Sequence, residues 1–371
     1  MLAISKYRPR LHNIQGFFRV DKPLLIGLLI LVFVGLIILY SASNQNLSII
    51  GKQALRLLIA FFVMLMLTQI SPSTYRAWTP WLFIFSFSLI LAVLILGVVG
   101  KGAQRWLNLG LLKFQPSELM KLSVPMMLAW YLHDKSLPPS LFDLLITLII
   151  ILVPTLLVVK QPDLGTALLI AASGFSVILL AGINRRWLLL GSLLLLIIAP
   201  LGWHFMHEYQ KLRILIFLNP ERDPLGAGYH IIQSKIAIGV GGILGKGWLQ
   251  GTQSHLQFLP EHTTDFIFAV CGEEFGLIGG VVLLGLYFWI AARGLYISMK
   301  AQDTYSRLLG GGLSLSFFIA AFVNIGMVSG LLPVVGIPLP LISYGGTSLI
   351  TLVAGFGILM SIQTHRKLVG N

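Results

Sequence analysis

FLPEHTTDFIFAVCGEEFGLIGGVVLLGLYFWIAA, residues 258–292, decides how this chain is built. Its first eight residues include Glu261, His262 and Asp265; the 27 that follow, 266–292, are apolar except for Glu273 and Glu274. Roughly 20 helical residues cross a hydrocarbon core about 30 Å thick, so the run is long enough to span a membrane. Asp265 stands where a polar loop enters that helix. A carboxylate there reaches water and lipid headgroups while a buried helix holds its backbone. It either caps the helix or acts as a base on a membrane-borne substrate.

The same pattern recurs along the chain. Of 371 residues, 56% are hydrophobic and 11% charged, against roughly 25% charged in a soluble domain, and the mean hydropathy is +0.88. Apolar runs at 24–40, 54–70, 81–99, 119–132, 144–159, 164–181, 187–203, 266–292, 308–332 and 347–363 predict ten helices. The fourth is short and holds Lys121; KQPD (160–163) joins the fifth and sixth in a tight hairpin. The expected fold is an all-α polytopic membrane protein of about ten transmembrane helices in one domain, 1–371. With the N-terminus inside, 14 of the 26 Lys and Arg fall in the cytoplasmic tail 1–22, the inner loops and the C-terminal tail. Seven lie in short outer segments and five in the long outer loop 204–265. That excess favours an N-in, C-in orientation. The net charge of +13 is scattered over span ends, which suits topology signals and membrane lipids and excludes a nucleic-acid surface. The lone Cys271 excludes an intramolecular disulfide and a cysteine metal cluster. The basic tail precedes an apolar run without a small-residue cleavage site, which reads as a retained first span.

This threading puts four polar segments on the outer side. KGAQRWLNLG (101–110) leads into FQPSELMK (114–121). There Arg105 can fork onto a phosphate, and Trp106 can stack on a sugar or anchor at the interface. Glu118 and Lys121, three apart on one helical face, can pair, either in a site or as a tie between helices. Lys101, Arg105 and Lys113 run against the positive-inside rule and are candidates for an anionic ligand. In KQPDLGT (160–166), Asp163 begins a helix as a cap or as part of a site. The long loop closes on Glu261 and Asp265, and its apolar piece Ile231–Ile238 is too short to span. That piece lies along the interface or dips back into the bundle. LLPVVGIPLPLISYGGTS (331–348) holds three prolines and cannot be one continuous helix. The expectation is a re-entrant turn, 333–346, offering Ser343, Tyr344 and backbone groups to a ligand. Glu273, nearer Asp265's face than Glu274, either shapes that site's electrostatics or pairs with a basic residue. No pair among the outer histidines has the spacing of a zinc-binding helix.

Together KGAQRW, FQPSE, QPDLGT, DPLGAGYHIIQSKIAIG, GKGWLQGTQS, FLPEHTTDFIFAV, NIGMVSGLLPVVGIPLPLISYGG and THRK resemble the SEDS family (shape, elongation, division and sporulation) over about residues 20–367. GKGWLQGTQSHLQFLPE resembles its elongation members more than its division members. One departure stands out. The family carries His-Thr-Asp before Phe-Ile-Phe, whereas Thr263, Thr264 and Asp265 stand here, with His262 one position earlier. The acid is kept and the histidine displaced. The resemblance implies a peptidoglycan glycosyltransferase polymerising lipid II at the outer face of the bacterial cytoplasmic membrane during elongation. It implies as partners a class B penicillin-binding protein, which is a transpeptidase, and other elongation machinery proteins. It further implies Asp265 as the catalytic acid residue, with Arg105, Trp106, Glu118, Lys121 and Asp163 at functional positions. A divalent cation (Mg²⁺ or Mn²⁺) would suit the pyrophosphate leaving group, though the sequence has no dedicated ligand cluster. A lipid II flippase or transporter, or a non-catalytic scaffold for the transpeptidase, would also use ten spans. Polar motifs gathered at outer span ends, and no internal repeat, favour the enzyme.

Overall fold

The computed structural model describes residues 20–100, 103–108, 113–206, 208–223, 226–255 and 261–366. Most of the tail 1–22, Lys101, residues 256–260 and Lys367 lie outside the described residues, as does the side chain of Lys113. A helix forms on each of the ten predicted segments: α1 Lys22–Ala42, α2 Leu47–Thr68, α3 Pro72–Leu96, α4 Pro116–His133, α5 Leu141–Lys160, α6 Leu164–Leu180, α7 Arg185–Phe205, α11 Ile267–Met299, α12 Thr304–Val328 and α13 Thr347–Thr364. Seven of these, α1, α2, α3, α5, α11, α12 and α13, are long and apolar enough to cross a membrane. The chain is a helical multi-span membrane protein. Between α7 and α11 lie α8 Glu208–Leu218, α9 Ala227–Gly241 and α10 Thr252–His255.

The all-α expectation is corrected at one place. Residues 98–114 form a small antiparallel sheet, β1 Val98–Gly100, β2 Ala103–Asn108 and β3 Lys113–Phe114, in the order β1-β2-β3. The apolar run read as one span to residue 99 stops at Leu96, where Gly97 turns extended. Val98 then pairs opposite Trp106, and Leu107 opposite Phe114. β-branched and aromatic side chains suit that pleated surface, and the ladder satisfies backbone groups that a loop at the membrane edge would leave open.

Helices meet through α13 on α2, α11 on α12, α3 on α4 and α6 on α12, while leucines such as Leu189 and Leu196 on α7 face outward. One buried cluster surrounds Tyr287, Phe317 and Phe356; another surrounds Tyr75, Met120 and Tyr305. Several long-range polar contacts lie at the two ends. Arg293 clasps Asp21 at 2.7 and 3.1 Å, and Tyr305 meets Thr79 at 2.8 Å, all at the inner ends of the predicted threading. Gln53 donates to the Ser343 carbonyl at 3.2 Å, and Trp248 to Ile37 at 3.3 Å, both at the outer ends.

The helix that opened the sequence reading is not continuous. Gly276 adopts φ 65°, ψ −161°, open to glycine and costly for other residues, and breaks α11 into 267–275 and 277–299. The break frees backbone groups, and the segment after α9 takes them up. Leu277 and Ile278 N–H donate to the carbonyls of Gly242 and Ile243 at 2.9 and 3.2 Å, while Lys246 and Gly247 N–H donate to those of Glu273 and Glu274 at 3.0 Å each. A broken helix inside a membrane protein requires such internal partners. The second piece alone is about 34 Å long, enough to span. The apolar piece Ile231–Ile238 sits within α9, which packs on α11 and donates from Ser234 Oγ to the Val328 carbonyl at 2.9 Å. It turns back into the protein.

Candidate active site

Asp163 caps α6 and also gathers two side chains from elsewhere in the chain. It precedes α6 and accepts from Thr166 N–H on Oδ1 at 3.2 Å, as an N-cap does. Gln115 Nε2 donates to its other oxygen at 2.8 Å, and Arg105 Nη1 lies 3.6 Å away. The carboxylate is buried, whereas the Arg105 side chain remains 28% exposed. Arg105 comes from β2 and Gln115 from the residue before α4, so the sheet, α4 and α6 converge on one acid.

One turn into α4, Lys121 Nζ lies 2.7 Å from Glu118 Oε2, the i,i+3 pair expected from the spacing. Thr351 Oγ1 from α13 donates to the same oxygen at 3.3 Å. Glu118 is only 4% exposed. The pair borders a cavity of about 80 Å³ enclosed by α4, α6, α12 and α13, with Ser173, Ser316, Ser348 and Thr351 among apolar walls. Lys121 also borders a second cavity of about 50 Å³, walled by Ile337, Pro338, Leu339, Pro340 and Ser343. A cation thus stands between an apolar recess and the non-helical segment 331–346.

That segment is the irregular, protein-walled stretch the prolines predict. Tyr287 OH donates to the Pro340 carbonyl at 2.6 Å, and Arg56 donates to Gly345 at 3.3 Å while lying 4.6 Å over the Tyr344 ring. It also grips the turn before α11. Ser343 Oγ donates to the Thr264 carbonyl at 2.6 Å and accepts from Leu339 N–H at 2.8 Å; Tyr344 N–H donates to Thr263 at 2.9 Å. Within the turn, the Glu261 carbonyl accepts from the N–H groups of Thr264 and Phe266. Asp265 is half-buried and faces Gly336: a Cβ placed on Gly336, whose φ is +73°, would lie 3.4 Å from Asp265 Oδ2. Next to it, a Cβ on Gly165 would lie 2.6 Å from the Val335 carbonyl. Residues 335–336 therefore run between the start of α6, where Asp163 sits, and the Asp265 carboxylate.

The structure brings Arg105 to Asp163, Glu118 to Lys121, and Asp265 to the segment that walls the Lys121 cavity. Other expectations change. Ser343 engages backbone on both sides with its hydroxyl and braces the turn before α11. Glu261 is exposed and its carboxylate accepts from Thr264 Oγ1 at 2.7 Å, inside its own turn and away from both cavities. Trp106 is half-buried in β2. Glu273 is fully buried and pairs with Lys246 at 3.0 Å, also accepting from Thr252 and Gln253 N–H at 2.7 and 3.0 Å, so it anchors the 242–255 loop. The alternative of pairing with a basic residue holds.

Gln115, Arg56 and Gly336 were not singled out. Only Arg56 left a signal, as an outer charge against the positive-inside rule. His230 of α9 is one of the outer histidines whose spacing carries no zinc signal. Its ring stacks on Phe266 at 5.6 Å, and burial holds its imidazole below the usual range against the opposing pull of Glu261 and Asp223. Among the described residues, no three of His, Cys, Asp and Glu gather as metal ligands.

With this geometry in place, the relatives agree. The description of the FtsW/RodA/SpoVE cell cycle proteins matches residues 20–368. The peptidoglycan glycosyltransferase MrdB of Escherichia coli K12 is 51% identical over 94% of this chain and 95% of its own. A chain in the structure of a peptidoglycan synthase complex, solved for the coordination of polymerization and crosslinking, superposes with a TM-score of 0.82 at 31% identity, covering 93% of this chain and 97% of that one. The rod shape determining protein RodA of Thermus thermophilus superposes at 0.72 with 28% identity, covering 95% and 99%. The chain belongs to the SEDS family, the cell cycle proteins of the FtsW/RodA/SpoVE type.

Proposed function

We propose that this protein is a peptidoglycan glycosyltransferase that polymerises lipid II for cell elongation, with Asp265 as its general base. One observation carries the assignment of the base: the Asp265 carboxylate lies against Gly336, in the segment whose next residues, from Ile337 on, wall the Lys121 cavity. The sugar 4-hydroxyl attacks the anomeric carbon while its proton passes to Asp265, a carboxylate within hydrogen-bond reach being a workable base. The carbon–oxygen bond to the pyrophosphate breaks, and its electron pair leaves with the polyprenyl pyrophosphate. Arg105 and Lys121 supply positive charge where the leaving group develops its own. One base and a good leaving group suffice without a covalent sugar–enzyme intermediate, so the anomeric carbon inverts.

The pairing of inner with inner and outer with outer segment ends supports ten membrane crossings, N-in and C-in, in the cytoplasmic membrane. On this reading 204–265 lies outside, 333–346 is re-entrant, and the site faces outward. Resemblance to a chain of a peptidoglycan synthase complex supports a transpeptidase partner. The test is polymerisation of labelled lipid II by Asp265→Asn in complex with a partner whose transpeptidase serine is removed. Strands made by the parent and lost in the variant support the assignment. Near-normal strands from the variant sink it, and lipid II movement across vesicles without polymer favours a flippase.

A further inference from the structure

We infer that Asn324 is a positioning residue for the transfer, aligning Asp265 through its backbone; this deepens the assignment of Asp265 as base and rests on it. Asn324 lies one turn from the outer end of α12 and is fully buried. A side-chain amide has two N–H donors, and here one nitrogen serves two segments. Asn324 Nδ2 donates to the Asp265 carbonyl at 2.8 Å and to the Ile337 carbonyl at 2.6 Å.

Three successive carbonyls of the acid's turn are thus held: Thr263 by Tyr344 N–H, Thr264 by Ser343 Oγ and Asp265 by Asn324. Asn324 differs from the other two in its origin. Ser343 and Tyr344 belong to the non-helical segment that wraps the turn. Asn324 projects from a helix packed on α4, α6 and α11. It references both the acid and Ile337, the neighbour of Gly336, to that framework. Asn324 is thus the side chain that bridges the two backbones whose approach brings the Asp265 carboxylate to Gly336. A displacement of about 1 Å in a reacting group can cost about 100-fold in rate.

Asn324→Ala removes both bonds. Kinetics are measured on the transpeptidase complex in nanodiscs, with rates normalised to the assembled fraction. Expected is a fall in kcat of about 10- to 100-fold, with KM for lipid II within about twofold and a displaced acid limb in the pH–kcat profile. If Asn324→Ala does not assemble, Asn324→Gln is read the same way: it keeps both donors but shifts them by one methylene. Parental kcat per assembled complex overturns the inference, as does a rise in KM with kcat unchanged. Asp265→Asn runs in parallel. An inactive Asp265→Asn beside a normal Asn324 variant removes this inference alone, whereas an active Asp265→Asn removes the base assignment beneath it.

Discussion

Glu118→Gln, Lys121→Met and the double variant separate what the buried ion pair does for folding from what it does for chemistry. At 2.7 Å and an effective dielectric of about 20, the gross attraction is roughly 6 kcal/mol. Desolvation offsets most of it, so exposed pairs net about 0–1 kcal/mol while removing one partner of a buried pair costs about 3–5 kcal/mol. The two members are not equally buried. Lys121→Met strands a 4%-exposed carboxylate with only the Thr351 hydroxyl, and about 3 kcal/mol of stability is expected to go. Glu118→Gln leaves a lysine whose side chain is 24% exposed and borders two cavities, so about 1–2 kcal/mol suffices. The double variant leaves no orphan charge. It should recover to within about 1–2 kcal/mol of the parent, giving a coupling of about 2–4 kcal/mol. The assay is unfolding of the detergent-solubilised complex, paired with lipid II polymerisation. Lost stabilisation of the leaving pyrophosphate should keep the double variant at least about 100-fold down in kcat/KM although it folds. A double variant that polymerises at the parental rate would refute the reasoning. The pair would then be only a tie between α4 and α13, with no part in holding the leaving group.

Two further outcomes follow from close approaches and burial. Gly165→Ala should lower kcat/KM about tenfold or more without unwinding α6, since alanine is the better helix former; its Cβ meets the Val335 carbonyl at 2.6 Å and Ile337 Cγ1 at 3.0 Å, pushing the segment beside Asp265. Unchanged polymerisation in a folded Gly165→Ala would show that the segment's position is immaterial. Burial lowers the folded pKa of His230 from its usual 6.5, so the unfolded chain takes up the proton more readily. The stability from this histidine is present above that pH and is lost as pH falls below it. Unfolding midpoints of the parent should drop on acidification, and those of His230→Asn should drop less; equal acid sensitivity in both would dismiss this account.

The helices were legible because lipid-spanning segments must be apolar for about 20 residues, and each predicted run carries one. Asp163, Glu118 and Lys121 were legible as charges where charges are costly. The Gly276 break was not. A glycine inside an apolar helix signals little by itself, and this one matters only because 242–247 arrives to accept and donate the four freed bonds. The sheet at 98–114 was hidden for a related reason: its first strand continues the apolar run of a span, and its partners come from a polar segment whose pairing no local pattern signals.

By itself the sequence determined the membrane class, the ten helical segments, the irregular stretch at 331–348 and the acid at 265, since each follows from local chemistry. Composition, proline and charge placement act within a few residues. Only the tertiary structure decided which polar groups meet. Arg105 reaches Asp163 across 58 positions, and Asn324 reaches Asp265 across 59, because α4, α6 and α12 stack side by side and carry distant loops to one end. It also gave the Ser343 hydroxyl its backbone partner. Whether a hydroxyl faces substrate or backbone depends on the nearest unsatisfied carbonyl, and that carbonyl lies 79 residues away in the chain.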